Sequence, residues 1–160
     1  METILASLTY LIHDNKVLMI KGVKPYAPHY QKYNGLGGKF NLEDNNNPTV
    51  CAIREVKEES GLTITNPTYL GKILFSGMFP GKEWLVHMFL CYDFEGELKQ
   101  DENEGKLHWA NIKNTLPDVS ILEGDKYFVP WILTGRTFEA HFIYNDRDYI
   151  SHTVTFFDGK

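Results

Sequence analysis

Three glutamates lie close together in residues 54–62, which read REVKEESGL. At about 100° per residue on a helix, Glu55, Glu58 and Glu59 fall within an arc of roughly 100°. Like charges at this spacing repel unless solvent or a cation neutralises them, and oxygen ligands suit a hard divalent ion such as Mg²⁺ or Mn²⁺. The segment therefore indicates a metal site. The solvated face of an amphipathic helix is the simpler alternative.

The residues around the glutamates favour the metal site. Arg54 is beside Glu55 and four residues before Glu58, where a guanidinium can hold a carboxylate in one orientation. Gly61 can supply the left-handed end of the helix. Residues 35–39, GLGGK, predict a glycine-rich turn whose exposed backbone lies close to the same helix.

This combination resembles the Nudix box, GX5EX7REUXEEXGU with U aliphatic, of the MutT-like nucleoside diphosphate-X hydrolases. The half from Arg54 onward matches at every fixed position. Arg54 follows Gly38 by sixteen positions, whereas the pattern has fourteen, so the chain carries two extra residues. The slot of the first box glutamate holds Asp44 when counted forward from Gly38 and Asn46 when counted back from Arg54. We expect a slightly longer loop, residues 41–47, before the helix.

The resemblance implies a ligand set and roles. The Gly38 carbonyl and the carboxylates of Glu55, Glu58 and Glu59 would hold Mg²⁺, with Mn²⁺ as a possible substitute. Glu58, or another carboxylate nearby, could take the proton from the attacking water. Arg54 would orient Glu55 and not touch the substrate.

The resemblance continues beyond the box. Residues 101–109 and 122–131 are similar to the downstream half of MutT-like enzymes that hydrolyse oxidised purine nucleotides, and residues 140–156 resemble their closing hairpin. That subgroup brings one more carboxylate to the metal from a loop after the box. Glu104 is the first candidate for this catalytic and metal-binding role and Glu102 the second, the alternative being a solvated loop acid.

Asn34 and Asp125 occupy the positions that face the nucleobase in this subgroup. An amide and a carboxyl group can together read the Watson–Crick edge and the N7–H of an 8-oxopurine. A turn residue and a first-turn helix acid are the alternatives. Lys24 and Lys39 flank the glycine-rich turn and could bind phosphates. Three aromatic residues could stack on the base or else belong to the core: Tyr33, Tyr127 and Phe128.

The order of elements predicts an α+β protein, and the resemblance implies the Nudix fold, a mixed β-sheet sandwiched between α-helices. We predict one helix at 48–60, capped by Asn47, with Val50, Ile53 and Val56 on its buried side. A second helix is predicted at 122–133, kinked by Pro130 or beginning close to it. The predicted strands cover residues 3–13, 16–21, 70–79, 84–94, 106–110, 141–145 and 149–156.

Composition narrows the class of protein. The chain has 160 residues, of which 42% are hydrophobic, enough for one Nudix domain spanning residues 1–160. Its net charge of −5, without a basic run, argues against stable nucleic-acid binding. No leader or membrane-length apolar run is evident, so we expect a cytoplasmic protein with no membrane partner. Cys51 and Cys91 are expected to be buried thiols. Whether the protein is a monomer or a homodimer stays open.

The resemblance implies a Mg²⁺-dependent nucleoside triphosphate pyrophosphohydrolase. Its expected reaction converts 8-oxo-dGTP to 8-oxo-dGMP and pyrophosphate, which serves nucleotide pool sanitation, mutation avoidance and DNA repair. One alternative is another Nudix substrate, namely an ordinary NTP, a nucleotide sugar or a dinucleoside polyphosphate. The other is a nucleotide-sensing module without turnover. A zinc site, a serine hydrolase and a P-loop nucleotide-binding site are disfavoured because the sequence has no HxxxH, GxSxG or GxxxxGKS motif.

Overall fold

The computed structural model describes residues 1–99 and 105–158. The two helices in these residues are α1, Pro48–Ser60, and α2, Asp125–Leu133, and a short 3-10 helix covers Leu42–Asp44. The strands of the same residues are β1 Glu2–His13, β2 Lys16–Lys21, β3 Tyr33–Asn34, β4 Leu36–Lys39, β5 Thr63–Thr65, β6 Thr68–Phe79, β7 Lys82–Cys91, β8 Asp93–Glu95, β9 Lys106–Lys113, β10 Leu116–Pro117, β11 Phe138–Asn145 and β12 Asp148–Phe156.

Ten of the strands described form one mixed sheet. Its main path is β10-β9-β2-β1-β7-β6-β11-β12, with β3 pairing to β2 and β4 pairing to β1. The β1–β7 and β6–β11 pairs are parallel, and the other pairs are antiparallel. Strands β5 and β8 form a separate two-stranded sheet. The glycine-rich segment 35–39 is thus mostly a strand, β4, and not only the turn that its composition predicted.

The two helices pack on opposite faces of the large sheet. Successive side chains of a strand point to opposite faces, so Tyr10 and Leu11 of β1 point in opposite directions. Tyr10 belongs to the core cluster that contains Phe128 of α2, whereas Leu11 belongs to the cluster that contains Val56 of α1. A mixed sheet between helices is the predicted α+β architecture, which is confirmed.

Local signals fix both ends of α1, as predicted. The Asn47 side chain accepts hydrogen bonds from the backbone N–H groups of Thr49 and Val50, at 2.9 and 3.3 Å. Pro48 opens the helix, where its missing N–H costs nothing. Gly61 ends it with φ at 83°, a left-handed conformation that glycine adopts without strain.

The predicted buried side of α1 is wrong at one position. Val50 is 42% exposed, whereas Cys51, Ala52 and Val56 are buried. The helix rests against β1 through its small residues, and the Cys51 thiol lies 3.3 Å from the Ser7 hydroxyl. Small side chains at this contact let the helix approach the sheet closely.

The second helix begins later than predicted. Residues 122–124 form a turn, and the backbone N–H of Asp125 donates to the Leu122 carbonyl at 3.1 Å. Pro130 lies inside the helix. Both cysteines are buried free thiols, as predicted. None of the helices in residues 1–99 and 105–158 is long and apolar enough to cross a membrane.

Candidate active site

Arg54 is the centre of an ionic network in the middle of α1. Its Nε and Nη2 atoms donate to the two carboxylate oxygens of Asp44, each at 2.8 Å. Nη1 donates to Glu55 at 2.9 Å and to Glu58 at 3.1 Å. Nη2 also donates to the Lys39 carbonyl, at 2.9 Å. One guanidinium therefore orients two of the predicted metal ligands and ties the helix to the end of β4.

Asp44, and not Asn46, pairs with Arg54. Asp44 is fully buried at the end of the 3-10 helix and forms a reciprocal cap with Asn41, each side chain accepting from the other residue's backbone N–H. Hydrogen bonds from Arg54 are the main cause that lowers the pKa of Asp44 to about 2. Asn45 and Asn46 adopt left-handed conformations, with φ of 55° and 56°. The extra length of the loop is thereby taken up after Asp44.

The two glycines of β4 bring backbone close to the glutamates. A Cβ atom on Gly38 would stand 2.6 Å from the Glu55 carboxyl carbon, so only glycine leaves room for that carboxylate. The backbone N–H of Gly37 donates to Glu59 at 2.8 Å. Burial is the main cause that raises the pKa of Glu55. Glu58 is more open to solvent, with 57% of its side chain exposed.

The predicted metal ligands are neighbours, but each already has a partner. Arg54 holds Glu55 and Glu58, and the Gly37 N–H holds Glu59. In residues 1–99 and 105–158, no three Asp, Glu, His or Cys side chains converge closely enough to enclose an ion. The donors nevertheless fit a divalent cation, because they are all oxygens and the space beside Gly38 admits a carboxylate against the backbone. Glu102 and Glu104 lie outside the described residues.

A cleft of about 240 Å³ extends from these glycines along the α2 side of the sheet. Gly38, Glu59, Asn34 and Asp125 all line it, so the structure brings together residues predicted to bind metal and base. Asn34 uses its side-chain oxygen locally, accepting from the Gly35 N–H at 2.9 Å. The turn role that we gave as the alternative for Asn34 is therefore present as well.

Asp125 is buried at the first turn of α2, with 4% of its side chain exposed. Burial raises the pKa of its carboxyl group, and the nearby His29 opposes this effect. The His29 Nε2 atom lies 3.7 Å from the Asp125 Oδ2 atom. His29 was missed by sequence analysis because it sits in an irregular loop, residues 22–32, without a spacing motif to mark it.

One wall of the cleft is aromatic. Of the three predicted stacking residues, Phe128 lines the cleft, whereas Tyr33 packs on His108 and Tyr127 on Tyr149. Three further aromatic side chains complete the wall: Phe75, Phe79 and Trp84.

Among the aromatic residues that line the cleft, Trp84 has a polar group available for a ligand. Within residues 1–99 and 105–158 its indole N–H is buried without a hydrogen-bond partner, while the Lys39 ammonium lies 5.5 Å from the centre of its ring. Lys39 therefore stands at the margin of the cleft. Lys24 is exposed in the loop and does not line the cleft.

A family model described as the NUDIX domain matches residues 4–132. The chain belongs to the Nudix family. It is thus a Nudix hydrolase, an enzyme of the pyrophosphohydrolase class, and Nudix hydrolases generally use divalent metal ions. The network around Arg54 lies within the matched residues.

Two Nudix relatives span most of the chain. The Nudix hydrolase YvcI of Bacillus subtilis is 27% identical over 126 residues, which cover 77% of this chain and 75% of the relative. The oxidized purine nucleoside triphosphate hydrolase of Danio rerio is 28% identical over 146 residues, which cover 91% of this chain and 90% of the relative.

A solved structure supports the Nudix fold. The crystal structure of a mutator MutT protein from Bacillus halodurans aligns with a TM-score of 0.80, covering 94% of this chain and 97% of that chain at 24% identity. The likeness extends past residue 132, where the family model ends, and so includes part of the closing hairpin of β11 and β12.

Proposed function

We propose that this Nudix hydrolase is a Mg²⁺-dependent enzyme that converts 8-oxo-dGTP to 8-oxo-dGMP and pyrophosphate. In this proposal residues 1–160 act as a single domain in the cytoplasm and remove an oxidised precursor before it enters DNA. The substrate is a free nucleotide, and neither a nucleic acid nor a membrane takes part.

The observation that carries the proposal is the shared cleft. Gly38 and Glu59 contact the same cavity as Asn34 and Asp125, so a single nucleotide could reach both groups. The apolar and aromatic wall suits a flat purine, and the few polar groups suit recognition of its edge. The oxidized purine nucleoside triphosphate hydrolase of Danio rerio, which covers 91% of this chain, adds support for this substrate class.

The acidic end of the cleft would supply the chemistry. The Gly38 carbonyl, Glu55, Glu58 and Glu59, with Glu104 as a further candidate, would hold a divalent cation, which would neutralise charge at the phosphates and acidify bound water. Glu58 is the best exposed of the three box glutamates for accepting a proton from water.

Arg54 is a positioning residue in this scheme. Its hydrogen bonds to Glu55 and Glu58 fix the direction of both carboxylates, and Asp44 fixes Arg54 in turn. The arrangement keeps one guanidinium among three carboxylates, so that the cluster holds together before substrate arrives.

Other residues in and beside the cleft would select the base and contact the phosphates. Asn34 and Asp125 can offer an amide and a carboxyl group to the purine edge. Trp84 can offer its buried indole N–H, which needs an acceptor. Lys39, held over the Trp84 ring, and Lys24, exposed in the loop before Asn34, are proposed phosphate contacts.

Release of pyrophosphate and monophosphate from 8-oxo-dGTP, dGTP and ADP-ribose, with Mg²⁺ and then Mn²⁺, tests this function. We expect a preference for 8-oxo-dGTP that the Glu58→Gln variant loses. Turnover of ADP-ribose or unmodified dGTP in preference would retain the Nudix chemistry and overturn the substrate. Metal-dependent binding without turnover would instead favour a nucleotide sensor.

A further inference from the structure

The loop that carries His29 is held beside Asp125 at the cleft by hydrogen bonds to neighbouring segments. The backbone carbonyl of His29 accepts from the Lys32 N–H at 2.8 Å and lies where a Cβ on Gly22 would be. On its other side, Arg147 donates to the carbonyls of Pro25 and Ala27, at 3.0 and 2.8 Å. These contacts tie the loop to the β2 end and to the β11–β12 turn. The imidazole is thereby kept near Asp125.

His29 and Asp125 form an uneven pair. The histidine keeps 27% of its side chain exposed, whereas the aspartate keeps 4%. A buried carboxyl group without a partner would hold its proton, and a nearby imidazole N–H or imidazolium favours the ionised form.

The other titratable groups around Asp125 cannot carry a positive charge that would favour its ionised form. Tyr10 of β1 and Tyr144 of β11 have buried hydroxyl groups. Burial, followed by the charge of Asp125, raises the pKa of both phenols, so they remain neutral near pH 7. Glu123, just before α2, adds a like charge that acts on Tyr144. His29 is thus the group in this set whose imidazole faces the Asp125 carboxyl group and can stabilise a negative charge on it.

We propose that His29 is a specificity-determining residue that keeps Asp125 ionised, so that the cleft selects purines with two adjacent N–H donors on their edge. This inference rests on the proposed function. An ionised carboxyl group only accepts hydrogen bonds and so matches the N1–H and 2-amino groups of a 6-oxo-2-aminopurine. A protonated carboxyl group can donate and would match the N1 acceptor of a 6-aminopurine. His29 acts here through Asp125 and does not need to touch the base.

Binding of monophosphates, measured by calorimetry from pH 5.5 to 9, tests the inference without requiring turnover. For the wild type we expect affinity for 8-oxo-dGMP to rise with pH, and affinity for dAMP to fall. In His29→Phe, which keeps a flat apolar ring, both curves should move to higher pH by about one unit. His29→Gln keeps an N–H donor and should restore part of the shift. Tyr26→Phe, at an exposed position of the same loop, is the matched control and should leave the curves unchanged.

The outcomes separate this inference from the proposed function. Unchanged curves in His29→Phe, alongside hydrolysis of 8-oxo-dGTP by the wild type, would overturn the role of His29 alone. Absence of both nucleotide binding and 8-oxo-dGTP hydrolysis in the wild type would overturn both proposals. Thermal unfolding of each variant shows whether it is folded, and the Gln variant provides the test if Phe is not tolerated.

Discussion

Asp44 and Asp125 are both buried, yet their pKa values move in opposite directions. Asp44 meets Arg54 through two hydrogen bonds of 2.8 Å, and its pKa falls to about 2. Asp125 faces His29 at 3.7 Å, and burial raises its pKa. The difference separates the ionic network around Arg54, whose Asp44 does not line the cleft, from Asp125, which does. At the acidic end paired charges fix the geometry, whereas at the base end an incompletely paired group is left for a ligand to complete.

The largest expected loss of stability comes from removing Asp44, the buried partner of Arg54. Asp44→Ala leaves the Arg54 guanidinium, 17% exposed, without its main partner. Removing one member of a buried ion pair costs about 3–5 kcal/mol of unfolding free energy. Urea unfolding measures this loss, with Asp44→Asn as the variant that keeps the shape. Asp125→Asn should change stability far less at pH 7, and a loss as large as that of Asp44→Ala would contradict the comparison.

Substitution of the two glycines of β4 should separate an effect on stability from an effect on turnover. A Cβ on Gly37 would collide with the backbone of Ser7 in β1, whereas one on Gly38 would meet the mobile end of Glu55. Gly37→Ala should therefore reduce stability. Gly38→Ala should keep the fold but displace Glu55 and lower kcat at least about tenfold, the scale of a lost catalytic hydrogen bond. Thermal unfolding and steady-state kinetics distinguish the two. Full activity in Gly38→Ala would show that Glu55 need not contact this backbone.

The opposite pKa shifts predict opposite dependences of stability on pH. Asp44 titrates lower in the folded chain, so its contribution is complete above its ordinary pKa near ~4 and is lost as pH falls towards 2. Asp125 has a higher pKa in the folded chain than in the unfolded chain. The folded state therefore loses stability as pH rises above the ordinary pKa of an aspartate. The loss of stability in Asp44→Asn, relative to the wild type, should therefore be larger at pH 7.5 than at pH 3. Asp125→Asn should gain stability between pH 4 and 7.5. Thermal unfolding across this range checks both signs, and parallel curves for the two variants would refute the assignment.

The smallest expected effect is at Trp84. Trp84→Phe keeps an aromatic ring for Lys39 and the cleft but removes the buried indole N–H. Among the described residues of the free protein this N–H has no hydrogen-bond partner, so stability should not fall. If the substrate accepts its hydrogen bond, KM should rise about three- to tenfold, equivalent to ~0.5–1.5 kcal/mol. Substrate titration measures this change, and an unchanged KM would remove Trp84 from base binding.

Local signals in the sequence explain what could be predicted. Helix α1 was predicted from Pro48 to Ser60 because Asn47, Pro48 and Gly61 mark its ends within a few residues. Strand β2 was predicted at residues 16–21, the bounds that it has in the structure. Strand β4 was not, because its glycines disfavour a strand and only pairing with β1 makes it one.

The arrangement of the site could not be predicted in full, because it depends on contacts between residues that are distant in sequence. Two counts of the box left Asp44 and Asn46 equally open, and only the fold shows which of them meets Arg54. Trp84 reaches the cleft because β7 pairs in parallel with β1, which brings it level with Ile4. His29 meets Asp125 across about a hundred residues of chain. No spacing rule connects such residues before the sheet is assembled.

The measurement that tests the account most directly compares Glu58→Gln with Asp125→Asn on 8-oxo-dGTP and dGTP. The acidic end should control turnover, so Glu58→Gln should lower kcat about 10²- to 10⁴-fold. The base end should control selection, so Asp125→Asn should raise KM for 8-oxo-dGTP about ten- to hundredfold and leave kcat close to that of the wild type. The account would be contradicted if Glu58→Gln turned over normally, or if Asp125→Asn kept the wild-type KM and its preference for 8-oxo-dGTP.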